Sequence, residues 1–123
     1  MYTFSKSERL CNKKLTEKLF LNGNSFTEDP FRIIYLEIKS EENILKTQIT
    51  VPKRNVAKAV DRNFIKRQIR ESFRKNKGLL IEFIKKENIS LHCAIIFQKS
   101  SIIQTKALEK KIKILFHRLI NKL

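Results

Sequence analysis

Apolar and polar residues recur along this chain with two different periods. Leu45, Thr47, Ile49 and Val51 share one face of an extended segment, and Lys46, Gln48 and Thr50 share the other, which predicts a strand over Ile44–Val51 with one wet face. Phe31–Ile38 reads as its antiparallel neighbour, joined to it by the polar turn Ser40-Glu41-Glu42-Asn43. Pro52 offers no N–H and ends that ladder. Leu91–Phe97 is apolar at nearly every position, as a central strand covered on both sides would be. The second period is helical. Leu108, Ile112, Leu115, Phe116, Leu119 and Leu123 form one stripe with lysines opposite, predicting a helix over Thr105–Asn121. A second helix runs from about Val56 to Lys75, and a short one over Leu79–Lys86 follows Gly78. Near the start, Asn12 caps a helix reaching about Leu21, with Leu15 and Leu19 on one face and Asn22-Gly23 as its stop. Helix, strands, helix, strand, helix is an α+β order, with helices packed on a small sheet in a single domain spanning 1–123.

Composition narrows the class. The chain has 123 residues, 41% of them hydrophobic, enough for a packed core and too many for a disordered basic tail. Two glycines and two prolines argue against a turn-rich β-sandwich. Apolar runs such as Ala94–Phe97 are too short to span a bilayer, and residues 1–20 carry charges throughout, so neither a membrane span nor a signal peptide is expected. Cys11 and Cys93 make no disulfide framework, and the simplest expectation is a reduced, cytoplasmic protein.

Charge adds the strongest signal. Lys and Arg number 27 against 12 Asp and Glu, a formal net charge of +15, which favours a polyanionic partner. Lysine excess also follows from AT-rich codon usage, so arginine is more telling. Arg54, Arg62, Arg67, Arg70 and Arg74 crowd into one short stretch of the chain. With Arg62 at zero on a helical wheel, Ile69, Phe73 and Ile65 fall near about 340°, 20° and 300°. Lys66, Arg70, Asn63, Arg74 and Arg67 fan out between about 40° and 140°. One helix therefore has a core face and, beside it, cations whose i,i+4 repulsion only Asp61 and Glu71 offset. Guanidinium forks suit phosphate oxygens, and the Asn63 amide suits a 2′-OH or a base edge.

The run Val51-Pro52-Lys53-Arg54, followed by Lys58-Ala59-Val60-Asp61-Arg62-Asn63-Phe64-Ile65-Lys66-Arg67-Gln68-Ile69-Arg70-Glu71, resembles the signature of the protein subunit of bacterial ribonuclease P. Arg62, Asn63, Lys66, Arg67 and Arg70 match five of the six positions of that family's helix motif, and Phe64 stands where the third position is usually Arg. Stacking on a base and packing against a neighbouring segment both suit Phe64. Leu19-Phe20 before Gly23, Phe31-Arg32 opening a strand, and the C-terminal amphipathic helix extend the resemblance over nearly the whole chain. Thr16 sits where relatives often carry an aromatic or apolar residue.

The resemblance implies a two-layer α/β sandwich on a small mixed sheet, with a left-handed β-α-β crossover around the basic helix. It implies a protein cofactor of a ribozyme, inactive alone, that binds the catalytic RNA and the single-stranded 5′ leader of precursor tRNA during leader removal. The catalytic-RNA surface would then comprise Lys53, Arg54, Lys58, Arg62, Asn63, Lys66, Arg67 and Arg70. The leader cleft would comprise Phe20, Arg32 and Ile34, with core packing beside Leu19 the equal alternative for Phe20. Mg²⁺ enters through the RNA subunit, and no obligatory protein partner is expected.

Two rival classes are weighed against this reading. A self-sufficient metal-dependent nuclease needs clustered carboxylates or histidines, whereas Glu28-Asp29 and Glu41-Glu42 fall in expected turns and His92 and His117 stand alone. No residue is expected to be catalytic or to bind metal, and the spacing of Cys11 and Cys93 does not suit zinc. A ribosomal or other structural RNA-binding protein shares the basic charge, and the long motif over 51–71 is what discriminates against it.

Overall fold

The computed structural model describes residues 13–123, so the expected cap at Asn12, and Cys11, lie outside the described residues. The elements follow as α1 (Lys13–Asn22), β1 (Asn24–Glu28), β2 (Phe31–Ile38), β3 (Leu45–Thr50), α2 (Ala59–Asn76), α3 (Gly78–Glu87), β4 (Ser90–Phe97) and α4 (Thr105–Lys122). The strands form one mixed sheet in the order β1-β2-β4-β3, with β2 antiparallel to both β1 and β4, and β3 parallel to β4. The α+β architecture is as the sequence predicts, and α2 and α3 form the crossover between the adjacent parallel strands β3 and β4.

One pairing differs from expectation. β2 and β3 are not an antiparallel hairpin, because β4 lies between them. The reason lies in β4 itself. Seven of its eight residues are buried, and such a strand reaches the lowest free energy with neighbours on both edges. The polar segment at Ser40–Asn43 therefore bridges the width of a strand instead of turning a hairpin. Asn43 anchors it from a left-handed conformation (φ 53°) that Asn tolerates better than most residues. Its side-chain amide donates to Asn88 Oδ1 at 3.1 Å and lies 3.3 Å from the Ile89 carbonyl oxygen. Ile44 N–H donates to Ser90 Oγ at 2.9 Å, and Leu91 N–H donates to the Ile44 carbonyl at 2.9 Å, so the loop is tied to the start of β4.

β1 is an addition to the expected elements. It pairs with β2 across the Asp29–Pro30 turn, whose peptide bond is cis. Arg118 of α4 secures this edge strand: its guanidinium donates to the Thr27 carbonyl at 2.9 Å, pairs with Glu28 at 3.5 Å and lies 4.7 Å from the centre of the Phe26 ring.

The two faces of the sheet are covered unequally. Phe31, Ile33, Leu91, Cys93, Ile95 and Phe97 point to the face covered by α2, α3 and α4, where Ile65, Ile69, Phe73, Leu80, Ile84, Leu108, Ile112, Leu115, Phe116 and Leu119 are fully buried against them. The edge-to-face pair Phe73–Phe116, 5.5 Å between centres, joins α2 to α4 within this layer. On the opposite face, among the described residues, α1 packs: Leu19 is buried with Ile34 and Ala94, and Leu15, Leu36 and Ile96 lean against them. Gly23 ends α1 as expected, but its backbone is not left-handed. A Cβ there would sit 2.5 Å from the Leu19 carbonyl oxygen and 2.9 Å from that of Tyr35, so close passage from α1 to the sheet requires glycine.

Candidate nucleic-acid interface

The basic helix is positioned from both ends. Before it, Asn55 and Val56 N–H groups both donate to the Pro52 carbonyl, and the Asn55 side-chain amide donates to the Phe97 carbonyl at 3.1 Å. Val51 and Val56 are buried, so Lys53 and Arg54 between them stand out into solvent. Lys58 occupies the N-cap position and makes no side-chain cap, which leaves first-turn amides of α2 to other acceptors. Arg62 turns back over this loop, donating to the Val56 carbonyl at 3.0 Å and the Ala57 carbonyl at 2.6 Å. Its guanidinium thus has a structural task that the sequence did not reveal.

Along α2 the wheel holds. Ile65, Ile69 and Phe73 are fully buried, while Asn63, Arg67 and Arg70 are exposed and Lys66 is half-buried. None of Lys53, Arg54, Lys58, Lys66, Arg67 and Arg70 makes an ion pair with a described residue. Glu71 is spoken for: Arg74 donates to both of its carboxylate oxygens, and that guanidinium holds the carboxyl below the usual carboxylate range. The cations are therefore gathered on one helix and its leading loop without local neutralisation, which focuses positive potential there.

A second surface is the face of the sheet beside α1. Of the three residues expected there, Phe20 and Arg32 are exposed, Phe20 at 47%. Core packing for Phe20 is thereby excluded, since its neighbour Leu19 fills the core position. Ile34 is a correction. It is 5% exposed, because it lies under α1 in contact with the layer that holds Leu19 and Ala94, and it offers no wall to a ligand. The cross-strand register brings other residues to this face that the sequence had not joined to it. Arg32 lies opposite Ile96, which lies opposite Thr50; Ile34 opposite Ala94 and then Gln48; Leu36 opposite His92 and then Lys46. The alternation along β3 had already grouped Lys46, Gln48 and Thr50, but their place depended on β4 intervening. His92 is buried here and its pKa is lowered, first by desolvation and then by the charges of Lys46 and Lys18. Cys93, facing the opposite layer beside Thr47 at 3.4 Å, is fully buried, which pushes its thiol up to about 11 and keeps it inert.

Among the described residues no group of three or more His, Cys, Asp or Glu side chains is placed to hold a metal ion. Nor is any described helix long and apolar enough to cross a membrane.

These features define a basic α+β protein whose unneutralised cations sit on the crossover helix of a four-stranded mixed sheet. Comparison with known proteins sharpens that class. Residues 4–120 match the family model described as Ribonuclease P. A ribonuclease P protein component from Porphyromonas gingivalis is 33% identical over 90 residues, covering 72% of this chain and 65% of the relative, so the match spans somewhat less than two thirds of that protein's length. One from Petrotoga mobilis is 34% identical over 93 residues, covering 72% and 76%. Among solved structures, the ribonuclease P protein of Staphylococcus aureus superposes with a TM-score of 0.72 at 21% identity, covering 93% of this chain and 96% of the other. That of Thermotoga maritima gives 0.68 at 24%, covering 90% and 96%, and both show the same fold. The chain belongs to the ribonuclease P protein family.

Proposed function

We propose that this chain is the protein subunit of a ribonuclease P ribonucleoprotein and assists removal of the 5′ leader from precursor tRNA. The single observation that carries this reading is the exposed, unneutralised cation set on α2 and its leading loop, in a chain of this family. In this reading Lys53, Arg54, Lys58, Lys66, Arg67 and Arg70 contact phosphates of the catalytic RNA, and Asn63 donates to and accepts from a 2′-OH or base edge. Arg62 contributes mainly by holding the loop that presents Lys53 and Arg54.

The leader lies across the sheet face beside α1. There Phe20 offers a flat surface to any base, Arg32 and Lys46 attract phosphates, and Gln48 and Thr50 supply polar groups between them. That combination suits a single strand of variable sequence. Chemistry stays with the RNA. Among the described residues no three His, Cys, Asp or Glu side chains are grouped to hold a metal ion, so Mg²⁺ is assigned to the RNA in this reading. Mg²⁺ held by the RNA would polarise the scissile phosphate and activate water, and this chain would lower the repulsion between leader and RNA by placing cations between them. The partners are accordingly the catalytic RNA and precursor tRNA, within the cytoplasm.

The test is to purify the protein from its native cells and sequence the RNA bound to it. A single abundant structured RNA that trims precursor tRNA is the expected outcome. Ribosomal RNA alone would contradict the assignment and favour a ribosomal protein.

A further inference from the structure

Between the outer flank of α2 and the first turns of α4 lies a groove of about 200 Å³, open to solvent and walled by Phe64, Arg67, Glu71 and Lys75 on one side and by Thr105 and Glu109 on the other. Phe64 is 43% exposed at its rim, on the motif position where the family usually places a cation. Gln68 also lines it and is more than nine-tenths buried. Its amide nitrogen is fixed, donating to the Ile103 carbonyl at 3.1 Å and to Thr105 Oγ1 at 3.0 Å, while its carbonyl oxygen has no partner. A buried acceptor left in that state is unfavourable until a donor reaches it.

The lining selects the occupant. Arg67 and Lys75 face Glu109 and a Glu71 already paired with Arg74, so the groove is less cationic than the exposed flank that carries Lys66 and Arg70. An exposed ring, the guanidinium of Arg67 one turn further along the same helix, and acceptors at Gln68 and Glu109 instead suit a flat, neutral group carrying N–H donors. A nucleobase has that chemistry, and the adjacent cations would hold the phosphates on either side of it.

We infer that the α2–α4 groove receives one unstacked base of the catalytic RNA, with Phe64 as its stacking platform. This rests on the proposed assembly with that RNA. It also gives Phe64 a role of its own: an arginine at this position would add a phosphate contact, whereas phenylalanine replaces that contact with a base. The affinity contributed is then insensitive to salt, unlike that of the fan.

The experiment measures binding of the cognate catalytic RNA by the full chain at several salt concentrations, for wild type and for Phe64→Ala, Phe64→Leu and Phe64→Tyr. Phe64 is exposed, so none of these replacements empties the core, and leucine keeps the apolar bulk. Ala and Leu should each bind about tenfold more weakly and Tyr as wild type, all with the wild-type slope of log K against log salt. Wild-type affinity in the Ala variant would overturn the inference. So would wild-type affinity in the Leu variant, since packing without a flat ring would then suffice, and so would a change of slope, which would trace the loss to displaced cations. Failure of the wild-type chain to bind the RNA at any salt would overturn the proposed function, and this inference with it.

Discussion

At the scale of single residues, adjacent side chains differ sharply in burial. Leu19 is fully buried and Phe20, next to it, is about half exposed, so truncating the two should have opposite signatures. Leu19→Ala should lower folding stability by about 2–5 kcal/mol. Phe20→Ala should leave the melting curve close to wild type while weakening binding of leader-bearing precursor tRNA to the holoenzyme by about 1–3 kcal/mol. Mature tRNA, with no leader to stack, serves as the control and should bind Phe20→Ala and wild-type holoenzyme alike. Equal affinity of Phe20→Ala and wild type for both tRNA forms would remove Phe20 from the cleft.

His92 gives a second residue-scale expectation, this one about pH. Burial first, then Lys46 and Lys18, lower its pKa in the folded protein, so the unfolded chain takes up the proton first as pH falls. Its contribution to stability is full above the ordinary histidine value near 6.5 and is lost as pH falls from there through the lower folded value. Melting temperatures followed from about pH 8 to about pH 5 should therefore drop more steeply for wild type than for His92→Gln. Parallel declines would show that His92 is not the group responsible.

At the scale of elements, α2 was the most legible part of the chain. Its apolar stripe and basic fan follow from one period, and burial of Ile65, Ile69 and Phe73 with exposure of Asn63, Arg67 and Arg70 matches the wheel. The role of Arg62 was not legible, because its partners are backbone carbonyls whose position depends on how the Pro52 loop folds. β1 is not legible in the sequence for a related reason. Its side chains are exposed or half-buried, so no periodic apolar signal marks it, and only the Asp29-Pro30 turn before Phe31 hinted at a hairpin. For the fan itself, Arg67→Ala and Arg70→Ala should each weaken binding of the catalytic RNA by about 1.5–3 kcal/mol. Each should also make the slope of log K against log salt shallower by about 0.7–0.9. Unchanged slopes in both variants would mean that the helix is only a solvated face.

At the scale of the whole molecule, what the sequence concealed was neighbourhood. Alternation identified β2 and β3 as strands and even sorted their faces, yet it carried no information on which strand lies beside which. That β4 enters between them follows from its burial on both faces and from the tether at Asn43, a side chain acting on residues more than forty positions away. The same insertion aligns Arg32 with Thr50 through Ile96 and leaves Ile34 beneath α1, so the composition of this sheet face depends on the topology. The resulting molecule presents a cationic helix and, apart from it, a sheet face beside α1, and its described residues hold no metal cluster. In the proposed function the chain organises an RNA reaction whose chemistry stays with the RNA. The most direct measurement is cleavage of precursor tRNA at low Mg²⁺ by the cognate catalytic RNA alone, by the protein alone and by the two combined. The account predicts little cleavage by either component and a clear rise on combination; robust 5′ maturation by the protein free of RNA, or no effect of adding it to the RNA, would contradict it.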